Sequence, residues 1–426
     1  MFDLLHPDLL RAVDALGYTV PTPIQKDAIP PAIAGRDVLA CAMTGSGKTA
    51  AFMLPILQRL LSRPPRHQGT RALVLAPTRE LAAQIDEQRV ALGRFTRLSG
   101  AAVFGGVSMG PQEMALRRGL DVLVATPGRL LDHLQRGTAR LGSIETLVLD
   151  EADRMLDMGF LPDIRRILRY VPVARQTLLF SATMPPAIVS LARELLCHPV
   201  TLDVERPSAP AAGVSHAAYP VASELKLSLL VQLLGQPGVK NALVFTRTKH
   251  RANRVADGLG RRGVSADRIH GNRSQAQRTQ ALAAFKAGRC RVLVATDIAA
   301  RGIDVTGLSH VVNFDVPPAP EDYIHRVGRT ARAEAVGDAL TLVSPAEEAD
   351  LRSIERAVGT RIRRVTLPNF DYTARPAERL EIPLAQRLAA HRGHRRGGPR
   401  NGPPHPPASR RAPAEPWRSS VTRTVR

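Results

Sequence analysis

The chain has 426 residues, of which 44% are hydrophobic and 23% are charged. At about 100–200 residues per domain, this length predicts two or three globular domains, each with its own core. Lys and Arg number 59 against 38 Asp and Glu, which gives a formal net charge of +21. Genome bias accounts for the use of Arg in place of Lys, but not for the excess over acidic residues. The charge therefore favours a polyanionic partner, with nucleic acid first.

Targeting signals and cysteine pairs are not evident in the sequence. No apolar run reaches the length of about 18 residues that a membrane helix needs, so we expect no membrane contact. The N-terminus lacks the basic and apolar segments of a signal peptide. Cys41, Cys197 and Cys290 are isolated from one another and have neither disulfide nor metal-ligand spacing. This pattern predicts a reducing, cytoplasmic location.

The first half of the chain alternates apolar segments with helical patterns. Most of the apolar segments are continuous runs, which is typical of strands covered by helices on both faces of a parallel sheet. The predicted strands are residues 37–41, 71–76, 101–104, 121–125, 146–149 and 177–180, and predicted helices include 80–92 and 128–134. This rhythm predicts an α/β domain over residues 1–204.

A Pro- and Ala-rich segment at residues 205–213 is predicted to be a linker, after which the α/β rhythm begins again. The predicted strands are 242–246, 291–295, 310–314 and 339–343, and the predicted helices are 225–234, 249–260 and 277–286. A second α/β domain of similar size is therefore expected over residues 214–368, followed by a tail at 369–426.

The tail is basic and poor in apolar residues. Residues 385–426 contain ten Arg and one acidic residue, and the Pro and Gly content of 391–416 is too high for a packed core. Two interpretations remain open: a solvated tail without a role, or a flexible polycation that raises RNA affinity without sequence preference.

A phosphate-binding loop follows the first predicted strand and opens a helix. Its residues are Thr44, Gly45, Ser46, Gly47, Lys48 and Thr49. The glycines allow backbone N–H groups to approach phosphates closely, Lys48 reaches the β- and γ-phosphates, and Thr49 offers a hydroxyl to Mg²⁺. The common pattern begins with Gly, where this chain has Ala42. The alternative is a simple helix-capping turn, but lysine is scarce in this chain, which favours phosphate binding.

Paired carboxylates follow the apolar segment 147–149. Asp150 and Glu151 could be helix caps, but downstream of a phosphate loop they favour a magnesium site. Asp150 would hold Mg²⁺ directly or through water, and Glu151 would orient or deprotonate the attacking water. Lys48, Asp150 and Glu151 are therefore candidate catalytic residues.

The sequence 150–153, Asp-Glu-Ala-Asp, resembles the namesake motif of the DEAD-box RNA helicases. Other motifs of that family follow one another in order, at residues 17–25, 42–49, 77–81, 105–106, 126–129, 181–183, 244–246, 295–304 and 325–332. The resemblance covers about residues 1–368 and is greatest to the bacterial RhlE-type subgroup. It implies two tandem RecA-like domains, with ATP and Mg²⁺ as cofactors and RNA as the partner.

The resemblance also implies roles around the nucleotide. Gln25 would pair with adenine N6 and N7; Phe2, Gly302 and Asp304 would also contact the nucleotide, although core packing is an alternative for Phe2 and for Tyr18. Arg329 and Arg332 would act as arginine fingers. If the segment 325–332 is helical, His325, Arg329 and Arg332 share one face; a salt-bridged surface is the alternative. Residues coupling the two domains would be Asp153, Ser181, Thr183, His325 and Arg326.

RNA contacts implied by the resemblance are mostly to the backbone. They comprise Thr78, Arg79, Gly106, Thr126, Arg129, Arg247, Gln275, Arg278 and Thr296. Aromatic residues make up only 4% of the chain, which leaves few platforms for base stacking. Sequence-independent binding of short or structured RNA duplexes is therefore expected.

The resulting hypothesis is an ATP-dependent RNA helicase in which two domains close on ATP and RNA and separate a short duplex locally. An ATP-dependent RNA clamp or chaperone without productive unwinding has the same motifs. A DNA helicase or translocase is a third alternative. Ribosomal or RNA-decay proteins could bind through the tail.

Overall fold

A computed structural model describes residues 2–42, 46–62, 69–203, 214–300, 308–330 and 337–374. All of them lie within one compact unit. The predicted linker and the tail beyond Ala374 lie outside the described residues. So do five of the predicted site residues: Thr44, Gly45, Gly302, Asp304 and Arg332.

The first lobe, which is the described chain up to Asp203, is built on a seven-stranded sheet in which every pairing is parallel. Its order is β3-β4-β2-β5-β6-β1-β7. The strands are β1 (Val38–Cys41), β2 (Ala72–Leu75), β3 (Gly100–Val103), β4 (Val122–Ala125), β5 (Thr146–Leu149), β6 (Gln176–Ser181) and β7 (Val200–Asp203). The helices are a 3₁₀ turn (Phe2–Leu4), α1 (Pro7–Ala15), α2 (Pro23–Ile33), α3 (Lys48–Ser62), α4 (Arg79–Leu92), α5 (Met109–Arg118), α6 (Pro127–Gln135), α7 (Ala152–Asp157), α8 (Leu161–Leu168) and α9 (Pro186–Leu195).

The second lobe, from Val214 onward, contains another parallel seven-stranded sheet, ordered β10-β11-β9-β12-β13-β8-β14. Its strands are β8 (Val214–Pro220), β9 (Ala242–Thr246), β10 (Ala266–Ile269), β11 (Val292–Thr296), β12 (His310–Asn313), β13 (Gly337–Val343) and β14 (Arg363–Arg364). The helices are 3₁₀ turns at Ser223–Leu225 and Pro345–Glu347, with α10 (Lys226–Leu234), α11 (Lys249–Gly260), α12 (Gln275–Lys286), α13 (Asp297–Ala300), α14 (Pro320–Val327) and α15 (Glu348–Val358). Counted within each lobe, the two strand orders are identical. The predicted α/β class with two tandem RecA-like lobes is confirmed.

Both faces of the first sheet are buried, as its continuous apolar strands predict. Along β2, Val74 belongs to one core cluster, whereas Leu73 and Leu75 belong to the cluster on the opposite face. In β5, Val148 likewise faces away from Leu147 and Leu149, because side chains alternate along a strand. Each such side chain contributes about 1.5–3 kcal/mol on burial. The strand ends are thereby fixed, and with them the polar residues that follow.

Four strands were not predicted: β7, β8, β10 and β14. The β7 strand lies at a sheet edge, where exposed and half-buried residues alternate. The β10 strand is also an edge strand and carries Asp267 and Arg268 in the middle of its sequence. Edge strands need only partial burial, so their sequences lack the apolar run that marked the central strands.

Among the described residues, no helix combines the length and apolarity needed to cross a membrane.

Candidate functional site at the carboxyl ends of the strands

The carboxyl ends of the parallel strands bring the first lobe's motifs to one edge of the sheet. Lys48 begins α3 after β1, Asp150 directly follows β5, and Ser181 ends β6. In the sheet, β5, β6 and β1 are neighbours. Residues more than 100 positions apart in the sequence therefore meet at one crevice, where open parallel sheets bind their ligands.

The described part of the phosphate loop is supported by Gln25. The Gln25 side chain accepts a hydrogen bond from the Thr22 backbone at 3.0 Å and donates one to the Gly47 carbonyl at 3.3 Å. Gly47 has φ of +93°, and a Cβ there would lie 2.6 Å from Gln25 Nε2. Only glycine fits this close approach. The structure thus places Gln25, which was predicted to pair with adenine, against the phosphate loop.

Lys48 is buried, and its Nζ donates to the carbonyl of Ala42 at 3.0 Å. The lysine is therefore folded across the loop that precedes it. Thr49, the next residue in α3, is half-buried. Phe2 and Tyr18 pack against the hydrophobic core, and the Tyr18 hydroxyl donates to Gln88 at 3.3 Å. These contacts favour the core-packing alternative for Tyr18.

Asp150 and Glu151 are both buried, and Glu151 has left-handed backbone angles of φ 50° and ψ 53°. This conformation is costly for a residue with a side chain and is concentrated at functional sites. The Glu151 backbone N–H donates to Asp150 Oδ1 at 2.9 Å. Burial raises the pKa of Asp150 to about 6, although Lys48 acts in the opposite direction. A cation beside Asp150 would relieve the cost of burying its charge.

The residues present fit Mg²⁺ bound chiefly through phosphates and water. Asp150 and Thr49 offer hard oxygen donors, which magnesium prefers. Within the described ranges, no group of three or more His, Cys, Asp or Glu could hold a metal by itself. The ion would therefore need phosphate oxygens to complete its coordination.

Arg154 is a functional candidate that the sequence analysis missed. Its buried guanidinium donates to Glu151 Oε2 at 3.3 Å. Burial alone would raise the pKa of Glu151, but Arg154, Lys48 and Arg329 together hold that pKa below its ordinary value. The signal available in the sequence was an acid and an arginine three positions apart at the start of a helix.

Asp153 joins the end of β5 to the end of β6. Its Oδ2 accepts from the Thr183 backbone at 2.8 Å, from the Thr183 hydroxyl at 2.9 Å and from the Ala182 backbone at 3.2 Å. The Asp153 backbone donates to Ser181 Oγ at 3.2 Å. The structure brings these predicted coupling residues together within the first lobe.

The helix of the segment 325–332 is shorter than expected. The prediction of a helix carrying Arg329 was wrong, because α14 ends at Val327, before Gly328. Glycine costs about 1 kcal/mol in a helix, and the N–H groups of Arg329 and Thr330 bond three residues back. The Thr330 hydroxyl donates to the Leu308 carbonyl at 2.7 Å. Arg329 therefore sits on a tight turn, while Arg332 lies outside the described residues.

The end of α14 meets the first lobe's acidic motif. His325 and Arg329 line a small recess together with Arg154 from the first lobe. Burial, reinforced by Arg154, lowers the pKa of His325 to about 4, so the imidazole is neutral at physiological pH. Arg329 is buried and acts electrostatically on Glu151. The arginine predicted to approach the phosphate site from the second domain thus shares a recess with Arg154, the hydrogen-bond partner of Glu151.

Arg326 has a different environment from its neighbours. Its guanidinium makes two hydrogen bonds to Asp297, at 2.6 and 2.8 Å, and also donates to Asn313 Oδ1 and the Asp315 carbonyl. All of these partners belong to the second lobe. Arg326 ties α14 to the strand ends, and so orients the turn that carries Arg329.

The two lobes also meet at Glu80, which the sequence analysis did not single out. Gln275 Nε2 donates to Glu80 Oε1 at 3.0 Å, and Arg278 Nη2 lies 2.9 Å from Glu80 Oε2. Glu80 and Arg278 are buried. Gln275 and Arg278, predicted as RNA contacts, are thus engaged in a contact between lobes. This contact is visible only in the tertiary structure, because it joins segments that are far apart in the sequence.

The other predicted RNA contacts follow strand ends at the carboxyl edges of the two sheets. Arg79 packs over the glycine turn after β3, since a Cβ on Gly106 would lie 1.8 Å from Arg79 Nη1. Arg129 donates to the Val107 carbonyl at 3.1 Å. Thr78 and Thr126 are buried, and the Thr78 hydroxyl caps α4. Arg247 follows β9 and Thr296 ends β11 in the second lobe.

In the second lobe, the position that corresponds to the phosphate crevice of the first lobe is filled by the protein's own side chains. Lys226 begins α10 after β8, and its Nζ donates to Glu347 Oε2 at 2.5 Å and to the Phe314 carbonyl at 2.8 Å. Asp315, which follows β12, lies 4.0 Å from the same ammonium. The equivalent crevice of the second lobe is thus occupied by a buried ion pair.

Comparisons with known proteins agree with this fold and site. The model of the DEAD/DEAH box helicase family matches residues 22–191, and that of the helicase conserved C-terminal domain matches residues 225–334. The DEAD-box ATP-dependent RNA helicase CshA of Bacillus subtilis is 43% identical over 86% of this chain and 74% of its own length. CshA of Geobacillus kaustophilus is 42% identical over 89% of this chain and 80% of its own length. The chain therefore belongs to the DEAD-box ATP-dependent RNA helicase family.

Solved structures give the same result. Saccharomyces cerevisiae Dbp5 bound to RNA and ADP BeF3 superposes with a TM-score of 0.79 at 32% identity, covering 86% of this chain and 95% of that chain. A DEAD box protein from Methanococcus jannaschii is 37% identical over 85% of this chain and 97% of that chain, yet its TM-score is 0.51. Both matches cover more than four fifths of this chain, and so span both lobes.

Proposed function

We propose that this protein hydrolyses ATP in response to RNA, and that closure of its two lobes on both ligands separates short RNA duplexes locally. The observation that carries the proposal is the recess that His325 and Arg329 of the second lobe line together with Arg154 of the first, whose guanidinium donates to Glu151. A site that needs residues from both lobes is active only when the lobes are together.

Each residue of the crevice has a proposed part in the hydrolysis. Lys48 binds the β- and γ-phosphates, while Asp150 and Thr49 hold Mg²⁺, which would neutralise charge on the phosphates. Glu151 orients the attacking water and takes its proton. The low pKa of Glu151 keeps its carboxylate ionised and able to accept that proton.

Arginine fingers from the second lobe complete the proposed site. Arg329, with Arg332, stabilises charge on the transferred phosphoryl group, an effect of about 10³–10⁵ in rate in related systems. Gly302 and Asp304 are proposed to contact the nucleotide from the same lobe. Asp153 relays the state of the acidic motif to Ser181 and Thr183 through the hydrogen bonds at the end of β6.

RNA is proposed to lie along the carboxyl edges of both sheets and to be held by its backbone. Arg79, Arg129 and Arg247 lie at strand ends there, next to the glycine turn at Gly106. Sugar and phosphate contacts carry little sequence information, so binding is expected to be sequence-independent. The similarity to Dbp5 bound to RNA and ADP BeF3 supports RNA as the ligand of these surfaces.

The domain boundaries, the tail and the location remain proposals. We retain 1–204 and 214–368 as the two domains; the first sheet ends at Asp203 and the second begins at Val214, on either side of the proposed linker. The tail is proposed to bind RNA or protein partners. Cys41, Cys197 and Cys290 form no disulfide with one another, in keeping with the cytoplasm. The RhlE-type assignment has no support from the relatives named above, which are CshA proteins.

The decisive experiment is steady-state ATPase with and without RNA. We expect strong stimulation by single-stranded RNA and little by the matching DNA; equal rates without RNA would refute the coupling. Strand displacement on a short duplex separates a helicase from an ATP-dependent clamp. Replacing Arg329 and Arg332 by Ala should remove turnover while ATP binding persists, and full activity of that variant would reject the two-lobe site.

A further inference from the structure

A groove rich in arginine lies on the second lobe, away from the cleft. It has two adjoining recesses, of about 700 and 580 Å³, on the outer face of α15 and the segment that follows. Its walls carry five arginines and two glutamates, namely Arg352, Arg356, Arg361, Arg363, Arg364, Glu348 and Glu355. We call this surface the arginine groove.

Local structure holds the groove open. The α15 helix buries Leu351 and Ile354, which turns Arg352 and Arg356, one helical turn apart, toward solvent. Gly359, with φ of +72°, ends the helix in the left-handed conformation and reverses the chain. The segment that follows is anchored by buried Ile362 and by the pairing of β14 with β8.

The groove keeps positive charge that the protein does not neutralise. Arg364 contacts both Glu348 and Glu355, and so uses both carboxylates of the groove. In the part of the chain that the structure describes, Arg361 and Arg363 have no carboxylate within ion-pair distance, and both are exposed. Five arginines against two glutamates leave the groove with a net charge of +3, which favours an external anion.

The groove begins near the proposed RNA cleft, where Asp350 of α15 lies 3.4 Å from Arg247, and extends away from it toward the amino edge of the sheet. The β14 strand lies at one edge of the second sheet, whereas β9, β11 and β10 lie toward the other. At about 4.8 Å between neighbouring strands, the four steps from β9 to β14 span about 19 Å. Arg361 also precedes β14, at the amino edge, while the proposed cleft residues follow the carboxyl ends.

We propose that the arginine groove is a second RNA-binding surface, which takes the phosphate backbone of RNA extending beyond the cleft. Guanidinium groups match phosphate oxygens in a two-pronged geometry. No aromatic residue lines either recess, which leaves backbone contact without base stacking. The tail cannot be the occupant, since residues 385–426 carry ten arginines and one acid. The inference rests on the proposed function, which supplies the RNA.

The test replaces Arg361 and Arg363 together by Glu in the full chain. Both are exposed, so the fold should persist, and thermal unfolding checks this. The matched control replaces Arg117 and Arg118 by Glu, two adjacent exposed arginines on α5. A second variant, Arg361→Lys combined with Arg363→Lys, keeps the positive charge. Binding is measured against salt for a short RNA of about 10 nucleotides, which fills the cleft, and for a several-fold longer one.

For the longer RNA, we expect the slope of log affinity against log salt to fall by about 1.4–1.8, since each lost phosphate contact contributes about 0.7–0.9. The short RNA should bind and stimulate ATPase as in the wild type, and both the control and the Lys variant should keep the full slope. A wild-type slope for the longer RNA in the Glu variant would overturn the proposal, as would equal losses for both RNAs.

Two further probes distinguish the source of the anion. Inorganic tripolyphosphate and a poly-glutamate peptide are titrated against the wild type and the Glu variant. One outcome would overturn the RNA proposal: the wild type binds one of these probes more tightly than the Glu variant does, while the salt slope for the longer RNA is the same in both. The groove would then be assigned to a free polyphosphate or an acidic protein. If the wild type showed no stimulation by the short RNA, the proposed function would fail instead, independently of the groove.

Discussion

Lys226 stands in the second lobe where Lys48 stands in the first. Each lysine begins the helix that follows the first strand of its lobe, and each faces an aspartate after the fifth strand, Asp315 or Asp150. The difference is the third partner, because Glu347 lies 2.5 Å from the Lys226 ammonium. One fold position is therefore proposed to bind phosphate in the first lobe, whereas it forms a structural ion pair in the second.

Opposite effects are expected when these two lysines are replaced. Lys226→Met leaves Glu347 buried without its cation, whereas Asp315 keeps its ion pair with Arg251. The loss should cost about 3–5 kcal/mol of unfolding free energy. ATP affinity should stay unchanged. Lys48→Ala should abolish ATP binding with a much smaller loss of stability. Denaturant unfolding and nucleotide titration measure both; weakened ATP binding in the Lys226 variant would contradict the assignment.

Glu151→Gln should reduce turnover by about 10²–10⁴, the usual contribution of a general base, and leave ATP binding intact. The amide keeps the shape of the side chain and a hydrogen-bond acceptor for Arg154, but cannot take a proton from water. Single-turnover hydrolysis and ATP binding are the measurements. Glu87→Gln, an exposed position on α4, is the control. Retained turnover in the Glu151 variant would reject its role.

Asp150 gives a prediction that depends on pH. Its folded pKa of about 6 exceeds the unfolded value of 3.8, so its favourable contribution to stability is complete below 3.8 and is lost as pH rises through about 6. At pH 8, Asp150→Asn should therefore stabilise the ligand-free protein by about 3 kcal/mol, while hydrolysis is lost. At pH 3.5, where the carboxyl is protonated in both states, the gain should vanish. An equal gain at both pH values in thermal unfolding would show that desolvation of the charge is not the cause.

Glu80 and Arg278 form an ion pair between the lobes, and its two charges can be swapped by mutation. Glu80→Gln removes one charge of a buried pair. If the closed arrangement of the lobes loses about 1.5 kcal/mol of stabilisation, RNA-stimulated ATPase should fall about tenfold. The basal rate and ATP affinity should change little. Glu80→Arg combined with Arg278→Glu should recover part of the loss. If the double variant were no better than either single one, the pair would not be holding the lobes together.

Deleting residues 385–426 should weaken RNA binding and flatten its salt dependence, because this segment supplies a net charge of +9. Intrinsic ATPase should be retained, since none of the proposed catalytic residues lies there. RNA titrations at several salt concentrations measure the effect. An unchanged slope would exclude the tail as an RNA contact and favour the solvated tail without a role.

The central strands and the chemistry at their ends were accessible from sequence. The run 146–149 was predicted with the bounds that β5 has in the structure, because a strand buried on both faces must be apolar throughout. Asp150 then follows at the strand end by necessity. In contrast, β10 and β14 are charged edge strands whose pairing depends on a neighbour, which no local pattern records.

What the sequence by itself determined is the central strands of both sheets, the phosphate-loop pattern and the acidic motif, since each is encoded within a few consecutive residues. Only the tertiary structure decided that Glu80 joins Gln275 and Arg278 across the lobes, and that His325 and Arg329 line a recess with Arg154. The Glu80 contacts join segments nearly 200 residues apart, and the others depend on burial and on the approach of the second lobe. Contacts of this kind follow from how the sheets and helices pack, which periodicity and spacing along one chain do not specify.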